Sequence, residues 1–284
     1  MKKVAAICLT TVLSAALLGG CGQEGSGEKV TAKIIEMDLT SEEYAFGVDK
    51  SQPELLEQVN EFIAKVKEDG TLDEICEKYF GDGTPSPVKS AELDPSKDQL
   101  VVATNAAFEP FEYLPGEDYY GIDMELAALL AEELGQELVI QNMDFDAVCL
   151  SVGQQKCDIA MAGLTISEDR REYVNFSDPY YSASQRLIVR SDDETFKDCK
   201  DVASIESILN GMDKNTKIGV QAGTTGQSYL EGNPDLDFAG FSVTCVPYKN
   251  GSLAVQDLLN GNLNYVIIDS APATCITDSI NKIQ

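Results

Sequence analysis

The chain has 284 residues, 43% of them hydrophobic, and a formal net charge of −27 from 48 acidic and 21 basic residues. This length and hydrophobic content suffice for one large domain or two modest ones, each with its own core. The large excess of negative charge opposes nucleic acids and anionic membrane surfaces as partners.

The N-terminus has the pattern of an export signal. Lys2 and Lys3 precede an apolar run from Val4 to Leu18, which is short for a membrane span, and small residues follow before Cys21. The stretch Leu18–Cys21 resembles a bacterial lipobox. This resemblance implies a lipoprotein signal peptide at 1–20, lipidation of Cys21, and an extracytoplasmic protein held at the cell membrane by its lipid anchor. Secretion with Cys21 as an ordinary thiol is the alternative.

Cysteine usage is compatible with an exported protein. Apart from Cys8 and Cys21, six cysteines remain, and an even number permits disulfides, although the pairing cannot be read from the sequence. The chain has no histidine and no C-x-x-C pair, so we expect neither a metal site nor a cofactor.

In chain order, the first clear element is a helix that ends at Gly70 and has its apolar residues on one face. The face consists of Leu55, Leu56, Val59, Phe62, Ile63 and Val66. The stretch 81–98 follows, and its Pro, Gly, Ser and charged residues are typical of an exposed linker.

Beyond the linker, short apolar strands alternate with helical stretches. A helix is predicted at Ile122–Leu134, and strands are predicted at Gln99–Thr104, Glu137–Gln141, Cys157–Ala162, Arg186–Arg190, Lys217–Gln221 and Tyr265–Asp269. Such alternation predicts the α/β class with largely parallel sheets.

Polar residues follow four of these strands at the edge where α/β proteins bind ligands. They are Asn105, the group Gly163 to Thr165, the group Ala222 to Thr225, and Asp269. Helix capping is the alternative role for the Thr and Asp residues among them.

The stretch from Gly163 to Tyr181 places Thr165 five positions before Arg170. A guanidinium and a hydroxyl at the end of a strand together suit a carboxylate. The alternative is that Arg170 and Arg171 lie on a solvated helix face beside Glu168.

Several motifs resemble the solute-binding proteins of ABC importers for polar amino acids, the family that includes bacterial glutamine- and histidine-binding proteins. The resemblance covers nearly all of 33–284. The motifs lie at Asp69–Gly81, Ala103–Tyr113, Tyr120–Gly135, Met143–Val148, Gly163–Tyr181, Ile218–Leu230 and Leu258–Ala273.

This resemblance implies a two-lobed periplasmic-binding-protein type II fold with a central cleft. The ligand would be a free amino acid, the partners would be an ABC permease and ATPase, and the protein would be a monomer without enzymatic activity. Arg170 and Thr165, with backbone N–H groups near Thr225, would hold the ligand's carboxylate. Asp269 and the Gly163 carbonyl would hold its ammonium group.

Phe108 and Phe145 match positions that clasp the ligand's side chain in relatives, although both could instead be core residues. Selectivity would then come from Asn105 and Gln221, with Glu109 or Asp144 as further candidates. Relatives that favour basic ligands carry an acid where this chain has Asn105. The two carboxamides therefore favour glutamine, with arginine or another polar amino acid as the alternative.

The order of the motifs differs from that of the family. Elements like those at 42–81 normally close the chain, whereas here they come first, which predicts a circular permutation. The predicted parts are 21–37 for the lipidated cysteine, tether and hinge-crossing strand, 38–184 for lobe 1 and 185–284 for lobe 2. Lobe 1 comprises a permuted segment 38–81, a linker 82–98 and a core 99–184. A relic of a tandem copy is the alternative.

Two other classes of function fit the same fold. One is an enzyme like the dehydratases that act on prephenate-like acids, with Glu109 as the nearest acid or base candidate. Asp269 argues against it, because an anion at the amino position repels a second substrate carboxylate. The other is a lipoprotein that senses amino acids without transporting them.

Overall fold

Two five-stranded sheets, joined by a pair of crossing strands, organise the computed structural model, which describes residues 29–233 and 238–283. In chain order the strands are β1 (Ala32–Ile35), β2 (Glu42–Tyr44), β3 (Gly47–Asp49), β4 (Gln99–Thr104), β5 (Ala107–Phe108), β6 (Glu112–Tyr113), β7 (Glu137–Asn142), β8 (Ile159–Ala160), β9 (Val174–Phe176), β10 (Tyr181–Ala183), β11 (Gln185–Arg190), β12 (Lys217–Gln221), β13 (Thr244–Tyr248) and β14 (Tyr265–Asp269). The helices are α1 (Pro53–Glu68), α2 (Thr71–Phe80), α3 (Ile122–Leu134), α4 (Phe145–Gly153), α5 (Glu168–Arg171), α6 (Val202–Asn210), α7 (Thr225–Glu231), α8 (Gly251–Leu259) and α9 (Ser270–Ile283).

Lobe 1 is built on the sheet with strand order β7-β4-β8-β3-β9. Helices cover both faces, so β4 is buried along its length from Leu100 to Thr104 and reads as a continuous apolar run. The α/β prediction is confirmed here, and the predicted bounds of β4 and α3 match the structure.

The early segment completes lobe 1. Strand β3 lies between β8 and β9, and α1 buries Leu55, Val59, Phe62, Ile63 and Val66 in the lobe 1 core. Burying one such side chain is worth about 1.5–3 kcal/mol. Asp69 caps α1, and Gly70 follows in the left-handed conformation, as the sequence predicts.

Lobe 2 is built on the sheet with strand order β1-β11-β14-β12-β13. Strand β1 is its edge strand and runs antiparallel to β11, with Ala32 opposite Arg190 and Ile35 opposite Leu187. The predicted hinge-crossing segment therefore begins after Ile35, and the strand before it belongs to lobe 2.

The expectation of largely parallel sheets is wrong. In each five-stranded sheet two pairings are parallel and two are antiparallel. Strands β3 and β11 enter a lobe directly from the crossing and run away from it, against neighbours that point toward it. Parallel neighbours instead require a long crossover connection, which α3 and α8 provide elsewhere.

The crossing between lobes consists of β2 and β10, which pair antiparallel with Glu42 opposite Ala183 and Tyr44 opposite Tyr181. An isolated bridge joins Tyr44 to Thr165. These contacts place the crossing strands directly behind the predicted ligand residues.

The end of α9 lies on β1. The Asn281 side chain donates to the Ala32 carbonyl at 2.9 Å and accepts from the Ala32 N–H at 2.9 Å. We predicted that 282–284 would lie near 30–34. Asn281, one position before that range, contacts β1, and residue 284 lies outside the described residues. The circular permutation itself stays a prediction.

The signal peptide at 1–20 and the lipidation of Cys21 lie outside the described residues. Within the described residues, no helix is both long and apolar enough to cross a membrane. The six cysteines there, Cys76, Cys149, Cys157, Cys199, Cys245 and Cys275, are free thiols.

Candidate functional site

The candidate site lies where the carboxyl ends of β4 and β8 in lobe 1 face those of β12 and β14 in lobe 2. Asn105 follows β4, and Gly163 and Thr165 follow β8. Gln221 and Asp269 end β12 and β14. Contacts between these residues join the lobes. The residues that the sequence analysis chose at the ends of four separate strands therefore lie together in the structure.

Arg170 connects the two lobes. Ser167 caps α5 by accepting from the Arg170 N–H, and the guanidinium donates through Nη1 to the Thr165 carbonyl at 2.7 Å and through Nη2 to the Gly223 carbonyl at 3.1 Å. Its Cζ lies 5.1 Å from the ring centroid of Phe145. Arg171 behaves differently, because it is exposed and pairs with Glu168. The solvated-face alternative therefore describes Arg171 but not Arg170.

Thr165 contacts a residue that the sequence analysis does not single out. Its hydroxyl donates to Glu42 Oε2 at 2.6 Å, and the other Glu42 oxygen accepts from Thr40 and from Gln185 Nε2. Glu42 is buried and lies on β2. Its carboxylate thus joins both crossing segments to the loop that carries Thr165.

Asp269 is 4% exposed and accepts a hydrogen bond from the Tyr44 hydroxyl. Burial, reinforced by the negative charge of Glu42, raises the pKa of Asp269 to about 7. Burial and the nearby Asp269 raise the pKa of Tyr44 well above its usual range, so Tyr44 stays a hydrogen-bond donor. A cation that approaches Asp269 would therefore stabilise its ionised form.

Gly163 has a positive φ of 53°, and its N–H donates to Asp123 Oδ2 at 2.9 Å. A Cβ at this position would lie 2.9 Å from Cε1 of Phe108 and 3.3 Å from Cε2 of Tyr44. Only glycine fits such a contact in the left-handed region without displacement. The Phe108 ring belongs to the buried core of lobe 1 and packs directly on the strand-end loop, so its role as a clasping residue stays a prediction.

The two carboxamides form a bridge between the lobes. Gln221 Nε2 donates to Asn105 Oδ1 at 3.1 Å, and Asn105 Nδ2 donates to the Met143 carbonyl at 2.6 Å. Gln221 Oε1 is buried and has no hydrogen-bond partner among the described residues. Gln221 Oε1 therefore remains available as a hydrogen-bond acceptor.

The remaining candidates lie at the margins. Asp144 pairs with Lys249 at 3.4 Å on the exposed surface. Glu109 lines a cavity of about 340 Å³ at the outer edge of the cleft, together with Cys275 and Asn250. Thr225 begins α7 and lines a separate cavity with Thr40, so it is less central than Arg170 or Asp269.

Sequence reasoning missed the two residues that the crossing contributes, Glu42 and Tyr44. A signal was present, because they are two positions apart in a strand and both point to the buried side. That pattern alone indicates a half-buried strand. Among the described residues, no group of Cys, Asp and Glu side chains is arranged to hold a metal ion.

The sequence profile of the bacterial extracellular solute-binding proteins, family 3, matches residues 5–82 and 100–269. The chain belongs to this family. The match comes in two blocks, which correspond to the early segment and to the chain after the linker.

Curated relatives of this family 3 protein are named as binding proteins. The chain is 35% identical over 106 residues to the arginine-binding extracellular protein ArtP of Bacillus subtilis, covering 37% of this chain and 42% of the relative. It is 32% identical to a probable histidine-binding protein of Neisseria gonorrhoeae, covering 60% of this chain and 58% of the relative. The matches thus span less than two thirds of the length of these relatives.

Solved structures agree with the two-lobed type II fold. A mutant of the arginine-binding protein of T. maritima is 32% identical, with a TM-score of 0.53 over 64% of this chain and 72% of that one. An ancestral amino-acid-binding protein, described as a precursor of cyclohexadienyl dehydratase, is 27% identical, with a TM-score of 0.54 over 74% of this chain and 78% of that one.

Proposed function

We propose that this family 3 protein captures a free polar L-amino acid between its lobes and delivers it to an ABC importer. The observation that carries the proposal is the arrangement of Arg170 and Asp269. A guanidinium from lobe 1 and a buried carboxyl from lobe 2 each have contacts at the lobe interface, and the segments that carry them are linked through Thr165, Glu42 and Tyr44. A zwitterion requires one partner of each sign when it is enclosed away from water.

Closure would be driven by the ligand. Arg170 already reaches the Gly223 carbonyl of lobe 2, and a ligand carboxylate would offer the guanidinium a charged acceptor instead of a neutral one. The same carboxylate would compete with Glu42 for the Thr165 hydroxyl. The crossing strands β2 and β10 would serve as the hinge.

Glutamine remains the favoured ligand. The carboxamides of Asn105 and Gln221 lie together at the lobe interface and offer both donors and acceptors to a third carboxamide. Arginine is the second candidate, because four curated relatives and several solved relatives are named for it. The buried acids Glu42 and Asp269 also favour a ligand that carries more positive charge.

A thermal-shift panel of the twenty amino acids plus ornithine and cystine tests this proposal. A ligand at 100 times its dissociation constant adds about 2.7 kcal/mol to the free energy of unfolding. In the R170K variant the best ligand should bind about tenfold more weakly, since a lysine cannot reproduce the paired donors. R171K, an exposed neighbour with the same change, should bind within about twofold of the wild type. A panel without a shift, or equal losses in both variants, would contradict the proposal.

We also propose that the protein is not an enzyme. Its relatives are named as binding proteins, and Asp269 would repel the second carboxylate of a prephenate-like substrate. The ancestral relative named as a dehydratase precursor makes prephenate turnover the relevant assay.

Export and anchoring complete the proposal. The signal at 1–20, the lipidated Cys21, a monomeric state and the permease and ATPase partners rest on the sequence pattern and on the family. Globomycin treatment of expressing cells, which blocks lipoprotein signal processing, should make the unprocessed form accumulate. Substitution of Cys21 by Ser should release the protein from the membrane fraction.

A further inference from the structure

The hairpin β5–β6 carries a buried carboxyl group that none of the roles above uses. Glu112 is fully buried, and neither of its carboxyl oxygens has a hydrogen-bond partner among the described residues. A buried polar group without a partner costs free energy, typically about 1–3 kcal/mol. Such a group calls for an explanation in terms of what it could bind.

The position of Glu112 relates it to the proposed ligand site. Glu112 lies directly opposite Phe108 in the antiparallel pair β5–β6, and residues opposite each other point to the same face of the ribbon. Phe108 in turn packs against Gly163. The carboxyl group of Glu112 therefore lies on the face of the hairpin that is turned toward the strand-end loop.

The charge of Asp269, the acid of lobe 2, affects Glu112. Burial is the main cause that raises its pKa, and the charges of Asp123 and Asp269 add to it. The surroundings of Glu112 therefore favour its uncharged form. An uncharged carboxyl group still offers a carbonyl oxygen as an acceptor.

The other buried acids nearby have fewer carboxyl oxygens without a hydrogen-bond partner than Glu112 has. Asp123 uses one oxygen for the Gly163 N–H and the other for the Tyr180 hydroxyl. Glu42 uses both oxygens, and Asp269 uses Oδ1 for Tyr44. An ammonium group has three N–H donors. Asp269 Oδ2, the Gly163 carbonyl and Glu112 together provide three acceptors.

We propose that Glu112 is a specificity-determining residue that accepts a hydrogen bond from the ligand's ammonium group beside Asp269. The inference rests on the proposed function and extends it. It makes recognition of the amino group a task shared by lobe 1, through Glu112 and Gly163, and by lobe 2, through Asp269. Carboxylic acids that lack the amino group would leave Glu112 without a partner and would be rejected.

The test compares amino acids with their deamino analogues by calorimetry at pH 7. The probes are L-glutamine with 4-carbamoylbutanoic acid, and L-arginine with 5-guanidinopentanoic acid. In E112M, which removes both oxygens at similar volume, the dissociation constant of the amino acid should rise about tenfold, as expected for a hydrogen bond to a charged group. That of the deamino analogue should change by less than about threefold. E112Q keeps one carbonyl acceptor and should recover most of the affinity.

The control is E125Q. Glu125 is also buried, but it is bonded to Lys78, Tyr79 and Ser86 outside the site, so this variant should lose thermal stability and keep the wild-type ratio of the two dissociation constants. If E112M does not fold, E112D, which withdraws the carboxyl group by one methylene, should show the same selective loss.

The outcomes separate the two proposals. Equal weakening of amino acid and deamino analogue, or no change in either, would overturn the role of Glu112 while amino-acid binding by the wild type stands. Absence of binding of both amino acids to the wild type would overturn the proposed ligands themselves, and the role of Glu112 with them.

Discussion

In its proposed role Asp269 is both buried and ionised, and in the free protein burial opposes ionisation. Its burial raises the pKa of its carboxyl group to about 7, so at neutral pH the group is only partly ionised. Glu42, Tyr44 and Glu112 face it from β2 and from the hairpin, and none of them supplies a positive charge. Binding an ammonium group would favour the ionised form and release a proton to solvent.

This leads to a prediction for stability. Because the folded-state pKa of Asp269 is raised, its contribution to stability is complete below the unfolded value of 3.8 and is lost as pH rises toward about 7. The D269N variant does not titrate, so it should gain stability relative to the wild type by about 1.4 kcal/mol per pH unit across this range. Urea unfolding of both proteins from roughly pH 4 to pH 8 measures the difference.

A difference in stability that does not vary with pH would show that Asp269 is ionised throughout. D123N is the matched comparison, since burial also raises the pKa of Asp123 to about 7, away from Glu42.

Some residues of the candidate site could be predicted from the sequence, and others could not. Arg170, Gly163 and Asp269 could be identified because the sequence itself indicates where strands end and which charged residues could pair with a zwitterion. Glu42 and Glu112 could not, because their roles depend on which segments lie opposite them. An acid in a short strand has the same local pattern whether it faces solvent or a buried carboxyl group.

Among the elements, the loop after β8 depends most on backbone conformation. Gly163 combines a positive φ with close contacts to Phe108 and Tyr44, while its N–H is held by Asp123. The loop therefore fixes the distance between the Phe108 ring and the Thr165–Arg170 segment.

The G163A variant should lose both stability and ligand affinity. The left-handed conformation costs an L-residue about 1–2 kcal/mol, and forcing a methyl group against Phe108 should add about 1–3 kcal/mol. G135A is the matched control, because Gly135 has a φ of 71° but no atom within 4 Å of an added Cβ. Thermal unfolding and calorimetry of both variants would separate strain from crowding; equal losses in the two would contradict the close contact at Gly163.

The hydrophobic pattern predicts the bounds of some strands but not their direction. Runs such as those of β4 and β12 were predicted with their observed bounds, because burial on both faces gives a continuous apolar stretch. Their direction was not predictable from the run itself. It depends on whether the chain arrives through a helix or directly from the crossing.

For the whole molecule, the order of the segments along the chain differs from the order in the family. We propose a circular permutation, supported by the central position of β3 in lobe 1 and by the contact of Asn281 with β1. The lobe boundaries are part of the same proposal, with 38–184 as lobe 1 and 185–284 together with β1 as lobe 2.

A variant with the family order tests it. In this variant the chain would start at residue 99, run to 283, continue directly into 30 and end at 81, without the linker 82–98. It should fold and keep the ligand selectivity of the wild type, since only loop connections change and these cost little. A control lacking 42–81 should not fold, because β3 lies in the middle of a sheet. Failure of the reordered chain to fold would favour the tandem-relic alternative.

The place of β3 also has a consequence for synthesis. Its partner β9 is made about 120 residues later, which at roughly 5–20 residues per second means a delay of several seconds or more. During that time the sheet that covers the apolar face of α1 is incomplete. The chain must therefore be kept from aggregating until most of lobe 1 is available, both during synthesis and through the proposed export, and chains that end before Val174 should recruit holdase chaperones more strongly than longer ones.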